Sequence, residues 1–113
     1  MTTNEFLKEK RRHVITPNGY EFEDIRPRIV CADGFEVSVQ ASKYHYCQPR
    51  IDGADNYESV ELGFPSAKDD LIMEFAEESH DPTGTVYGWV PVEIVDKLIE
   101  KHGGIVNFKE VET

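Results

Sequence analysis

Apolar and polar residues alternate most cleanly between Phe35 and Ala41. Phe35, Val37, Val39 and Ala41 share one parity; Glu36, Ser38 and Gln40 share the other. A period of two marks a strand with one face in a core. Asp33-Gly34 separates this strand from the apolar run 28–32, which is the turn chemistry of a hairpin. Upstream, Thr16-Pro17-Asn18-Gly19 predicts a smaller hairpin over 14–22, with Tyr20 and Phe22 alternating against Glu21 and Glu23 as on a half-buried strand. Pro27 confines any strand before it to an edge.

The pattern downstream alternates between strand and helix. Over 57–64, Val60, Leu62 and Phe64 face one way until Pro65 stops the run. Residues 66–79 predict a helix: Ser66 and Asp69 have capping-box spacing, with Asp in place of Glu or Gln, and Leu71, Ile72, Phe75 and Ala76 form a stripe for burial. Residues 85–90 predict a strand with Val86 and Val90 on one side and Tyr87 and Trp89 on the other. Apolar on both faces, it should be central or cover a pocket. Pro91 opens a second helix, buried along Ile94, Val95, Leu98 and Ile99 and stopped by Gly103-Gly104. A last strand over 105–111 carries Val106 and Phe108. Residues 1–13 read as a frayed helix or flexible arm beside a domain of 14–113. The sum is a single α+β domain, a mainly antiparallel sheet with two helices packed on one face.

The alternation breaks after Ala41. An unbroken strand would point Lys43, His45 and Cys47 inward, and a charged lysine in the core is costly. A bulge near Ser42 would instead turn Tyr44 and Tyr46 inward. Gln48-Pro49 ends the extended segment. The break coincides with the densest chemistry in the chain: Lys43, Tyr44, His45, Tyr46, Cys47 and Arg50.

Charge adds a second candidate surface. The net charge is −10, and residues 51–81, with one basic and ten acidic side chains, account for −9 of it. Such a surface repels duplex nucleic acid and membrane headgroups and attracts basic partners. On the expected helix, Asp69, Asp70, Glu74, Glu77 and Glu78 would form its acidic face. The basic run Lys8, Lys10, Arg11, Arg12 offers a contact for an acidic partner, including a second copy of this chain. No apolar run reaches the ~18 residues of a membrane span, and no apolar signal region follows Met1, so the expected setting is cytoplasmic. Two cysteines, Cys31 and Cys47, are too few for a disulfide framework and read as reduced thiols.

Catalytic and metal chemistry are weakly supported by spacing. Cys47 with a distant histidine such as His80 or His102 would make a thiol hydrolase, but no oxyanion loop accompanies it. Cys31, His45, Cys47 and His80 lack zinc-ligand spacing. The 52–55 loop lacks the spacing and terminal glutamate of a calcium loop, and no phosphate-cradling glycine loop is present. No catalytic residue, metal ligand or cofactor is therefore assigned. The remaining constellation is basic and aromatic: Lys43, Tyr44, His45, Tyr46 and Arg50, with Tyr87 and Trp89 if their strands meet. It would suit a small nucleotide.

Several strings together resemble a group of small uncharacterised bacteriophage and prophage proteins. They are Val37-Ser-Val-Gln-Ala-Ser42, His45-Tyr-Cys-Gln-Pro-Arg50, Val60-Glu-Leu-Gly-Phe-Pro-Ser66, Val86-Tyr-Gly-Trp-Val-Pro-Val92 and Leu98-Ile-Glu-Lys-His-Gly-Gly104. The resemblance spans about residues 29–106 and carries no functional residue over. It implies a setting: a phage-encoded accessory protein inside a bacterial host. Three functions are then expected. The first is a counter-defence inhibitor of the anti-CRISPR kind, occupying a basic site on a host protein through the acidic face. The second is a sponge or binding module for a small nucleotide signal, and the third is a cysteine-dependent hydrolase.

Overall fold

The computed structural model describes residues 1–110. In order, these form helix α1 (Thr3–Glu9), strands β1 (Arg12–Ile15), β2 (Glu21–Asp24), β3 (Arg28–Cys31), β4 (Glu36–Gln40) and β5 (Ser59–Gly63), a 3₁₀ turn (Met73–Phe75), strand β6 (Val86–Pro91), helix α2 (Val92–Lys101) and strand β7 (Ile105–Lys109). Strands β3 to β7 make one antiparallel sheet of order β6-β5-β4-β3-β7, and β1 pairs with β2 as a separate hairpin. The fold is α+β, as the pattern predicts.

The Phe35–Ala41 alternation sets the sheet's inner face. Gly34 turns the β3–β4 hairpin at φ 93, in the left-handed region that favours glycine. Val37 then pairs with Ile29. Phe35, Val37, Val39 and Ala41 are all buried, and Val60, Leu62, Tyr87 and Val90 extend the same face across β5 and β6. Phe6 and Leu7 from α1 and Val95, Leu98 and Ile99 from α2 close over it. Each of the Val, Leu, Ile and Phe side chains contributes about 1.5–3 kcal/mol by leaving water.

Residues 1–13 are not a flexible arm. Thr2 and Glu5 form a reciprocal capping box on α1. The Thr3 amide donates to Asp96 Oδ1 (2.8 Å), and Asn4 exchanges hydrogen bonds with the Tyr57 backbone (3.1 and 2.8 Å). Two apolar residues on a seven-residue helix are a faint signal; these long-range contacts hold it.

The predicted helix over 66–79 does not form; only Met73–Phe75 is helical there. Ser66 does not cap a helix, and its Oγ accepts instead from the Glu36 amide (2.8 Å). Asp69 is buried, accepting from the Leu71 amide (3.0 Å), Lys101 Nζ (3.0 Å) and His102 Nε2 (2.8 Å). His102 Nδ1 bonds Asp33 Oδ2 (2.7 Å), and its ring lies flat on Phe35 at 3.9 Å. The segment is thereby pinned to α2 and to the β3–β4 turn. Ala76 then bridges to Tyr87, running along the open side of β6.

Four further expectations change. Strand β6 is at an edge of the sheet, not central, and takes the other expected place, lining a groove through Gly88 and Trp89. Glu23 is buried while Tyr20 is exposed, because Arg26 is buried beside it: the guanidinium donates to Glu23 Oε1 (2.7 Å), Leu7 O (2.9 Å) and Ala41 O (2.9 Å). Phe64 leaves the Val60–Leu62 face at φ 50 and is half exposed. Val106 is exposed where β7 carries one extra residue opposite Val30 and Cys31, while Phe108 stacks on Phe6 at 5.8 Å. Val111, the predicted end of β7, lies outside the described residues. Among the described residues no helix is long and apolar enough to cross a membrane.

Candidate functional site

Strand β4 ends at Gln40, and residues 42–50 fold back as linked turns. The His45 amide donates to Ser42 O (3.3 Å) and the Cys47 amide to His45 O (2.9 Å). Cys47 is the inward anchor: its thiol is buried and donates to Ser42 O (3.2 Å). With Cys47 inside, Lys43, Tyr44, Tyr46 and Arg50 face solvent. The break near Ser42 is real, but it turns the two tyrosines outward.

A β-bulge brings Trp89 to the same place. Leu62 pairs with Tyr87 and Val60 with Val90, so Glu61 alone faces both Gly88 and Trp89. Regular alternation would have put Trp89 beside Tyr87. The extra residue places Trp89 in the left-handed region at φ 50 and turns its indole out. Tyr87 is fully buried, whereas Trp89 is 51% exposed. The Trp89 amide donates to Tyr46 O (3.0 Å), and the two rings lie 4.8 Å apart, tilted by 30°. The Tyr46 amide in turn donates to Glu61 Oε1 (3.1 Å). Gly88 permits this approach, since a Cβ there would stand 3.3 Å from the Tyr46 Cβ.

Beyond β6, the Glu77 amide donates to Val86 O (3.0 Å), which sets Phe75 and Glu77 along the same edge. Tyr46, Phe75, Glu77, Gly88 and Trp89 together line an open groove of about 370 Å³. The Arg50 guanidinium sits 5.4 Å from the centre of the Tyr46 ring. On the same outer face of the sheet, a second depression of about 210 Å³ is walled by Ile25, His45, Glu61, Phe64 and Val86 over Ser38.

Of the predicted aromatic and basic set, the structure gathers Tyr46, Arg50 and Trp89. Lys43 and Tyr44 form a neighbouring pair (5.1 Å from ammonium to ring), with the Tyr44 hydroxyl 3.5 Å from that of Tyr20. His45 faces the second depression. Tyr87 is not at the site: it lies in the core with its hydroxyl donating to Pro82 O (2.6 Å). Of the predicted acidic set, Asp69 is buried and ion-paired, so it cannot meet a partner. Asp70, Glu74, Glu77 and Glu78 are exposed, and none makes an ion pair among the described residues. The sequence pattern places Phe75 in a buried helical stripe and gives Gly88 no role. A glycine inside a strand pattern is a recognised mark of a bulge or close approach.

The site's titratable groups argue against nucleophilic chemistry. Burial pushes the Cys47 thiol above its ordinary value, which suppresses the attacking thiolate. Burial lowers the His45 pKa, keeping the ring neutral, and its Nδ1 lies 2.6 Å from Ser42 Oγ. That oxygen is itself buried and already accepts from the Tyr44 amide (3.1 Å). Among the described residues no group of three or more His, Cys, Asp or Glu is arranged to hold a metal ion. The arrangement can stack a flat group, attract a cation and exclude some water.

A scan against protein-family models finds no match, and neither the curated proteins nor the solved structures yield one.

Proposed function

We propose that the protein is a non-enzymatic binding protein whose groove between Tyr46, Phe75, Glu77 and Trp89 takes a basic side chain of a partner protein. One observation carries this reading. The aromatic residues and the acidic segment, separate candidates in the sequence, meet in a single groove, and a bulge holds Trp89 out in solvent to form its wall. Aromatic faces and a carboxylate together suit a guanidinium or ammonium: about 0.5–2 kcal/mol for a cation over a ring, and about 1–4 kcal/mol for a charge pair at 4 Å between water-like and surface dielectrics. The −9 carried by residues 51–81 adds long-range attraction. In the setting implied by the sequence resemblance, the partner is a host bacterial protein with a basic site. The protein is then a counter-defence inhibitor of the anti-CRISPR kind, acting in the host cytoplasm.

Trp89 is the sole tryptophan of the chain, so its fluorescence reports on the groove directly. An arginine-containing hexapeptide should change that emission saturably, and the same peptide with citrulline, isosteric but neutral, should bind at least five-fold more weakly. Equal responses to the two peptides would sink the reading. A second reading, a small nucleotide held by Arg50 and Lys43 against Tyr46 and Tyr44, is favoured by the two cation–ring contacts. A response of Trp89 to adenosine or guanosine monophosphate, with none to the arginine peptide, would select it.

A further inference from the structure

We infer that the partner enters as an extended segment with two anchors, a basic side chain in the Tyr46–Trp89 groove and a large apolar side chain in the depression walled by Phe64, Val86 and Ile25. This deepens the function proposed above and rests on it.

The two hollows belong to one surface. Val86 lines one and Gly88 the other, and as residues i and i+2 of β6 they point to the same outer face about 6.8 Å apart. That distance is also the repeat between like-facing side chains of an extended peptide. Glu61 links the hollows, lining the second while its carboxylate takes the Tyr46 amide beside the first.

Size favours a side chain over a whole small molecule in the second hollow. Small-molecule sites run to about 300–1,000 Å³. The groove, at about 370 Å³, is at the lower end of that range and open, and the depression, at about 210 Å³, falls below it.

Charge assigns the anchors. Glu77 stands in the first hollow with no ion pair among the described residues. In the second, Arg28 and Gln40 are already engaged. Arg28 Nε bonds Glu36 Oε1 (3.0 Å), and Gln40 Nε2 is shared between Arg26 O (2.9 Å) and Ser38 Oγ (3.1 Å). His45 is bonded to Ser42. Glu61, on the boundary, lends one oxygen to the Tyr46 amide. What the second hollow offers a visitor is mainly apolar: Phe64, Val86 and Ile25. Phe64 is a half-exposed aromatic in the left-handed region, a strained conformation for a non-glycine residue. Trp89 shares that conformation, and the two strained aromatics wall the two hollows.

The test uses the full chain, Trp89 fluorescence and three hexapeptides: one with arginine and leucine two residues apart, one with leucine replaced by serine, and one with arginine replaced by citrulline. The leucine-to-serine change should weaken binding at least five-fold in the wild type, and the difference should vanish in Phe64→Gly, where glycine accepts the backbone of residue 64. Ile25→Ser supplies the same control on the opposite wall should Phe64→Gly fold poorly. Equal binding of the leucine and serine peptides, with citrulline still weaker, overturns the two-anchor inference and leaves the groove intact. A leucine preference that survives both wall variants also overturns it. Equal binding of the arginine and citrulline peptides removes the groove reading and the inference with it.

Discussion

Replacing His102 with leucine keeps an apolar side chain against Phe35 and removes both imidazole hydrogen bonds. The bond to Asp69 matters most, because that carboxylate is almost fully buried and retains only Lys101 and the Leu71 amide once the histidine is gone. A hydrogen bond to a charged group is worth about 1.5–3 kcal/mol. The half-exposed Asp33 contact adds little, since solvent screens it. A loss of about 2–3 kcal/mol, at roughly 4 °C per kcal/mol for a chain of this size, lowers the melting temperature by roughly 10 °C. The pH dependence separates this account from simple mispacking. Burial alone would lower the His102 pKa, but the hydrogen bonds and charges of Asp33 and Asp69 outweigh it and the net shift is upward. The stabilisation is therefore complete below the unfolded value near 6.5 and fades as pH rises through the folded value. Asp69 is also desolvated, yet the Leu71 amide, His102 and Lys101 hold its pKa below the usual carboxylate range. Its contribution is present above an unfolded value near 3.9 and fades as pH falls through the folded value. Thermal melts from pH 4 to 9 should show wild-type stability declining as pH rises above about 6.5 and His102→Leu lacking that decline. A melting temperature within 3 °C of wild type, or an unchanged alkaline slope, refutes the reasoning.

Three other outcomes are expected. Arg26→Met strands Glu23 in the interior with only the half-exposed Arg11 as partner and should cost about 3–5 kcal/mol in urea unfolding, with much of this recovered in the Arg26→Met/Glu23→Leu double variant. A double variant no more stable than the single would contradict that. Trp89→Gly should stay within about 1 kcal/mol of wild type in the same assay, because relief of the φ 50 backbone offsets the lost Tyr46 stacking, while arginine-peptide binding by calorimetry disappears. Ellman's reagent should find no rapidly reacting thiol in the native protein and two in guanidinium, since Cys31 and Cys47 are both buried and free; a fast native reaction would restore a case for Cys47 chemistry.

Much of the sheet was legible because its signals are local. Asp33-Gly34 and the parity of Phe35 to Ala41 specify the β3–β4 hairpin without help from distant residues, and the stripe Val95, Leu98, Ile99 does the same for α2. The 66–79 segment misled because its i, i+1, i+4, i+5 stripe is compatible with a helix that short isolated chains barely sustain. His102 and Lys101, more than thirty residues away, capture Asp69, and pairing with β6 claims Ala76. Glu23 carried no mark of burial, since its reason is Arg26 and the carbonyls of Leu7 and Ala41. The site was half visible. Tyr46, Arg50 and Trp89 stood out as chemistry, but their meeting depends on a bulge opposite Glu61, and periodicity gave Tyr87 and Trp89 the same side. The only local hint was Gly88.

The place of β3 has a consequence for how the chain must be made. Its two neighbours are β4, which follows at once, and β7 at Ile105–Lys109. Thr3, near the start, waits likewise for Asp96. During synthesis at about 5–20 residues per second, the outer edge of β3 therefore stays unpaired for roughly 4–15 s after its own hairpin can close. A ribosome-bound chain stopped before residue 105 would present the Arg28–Cys31 backbone as an open template for another strand, and α1 would have no finished surface to settle on. Completion of the last strand is thus the event that turns a sticky nascent chain into a closed domain.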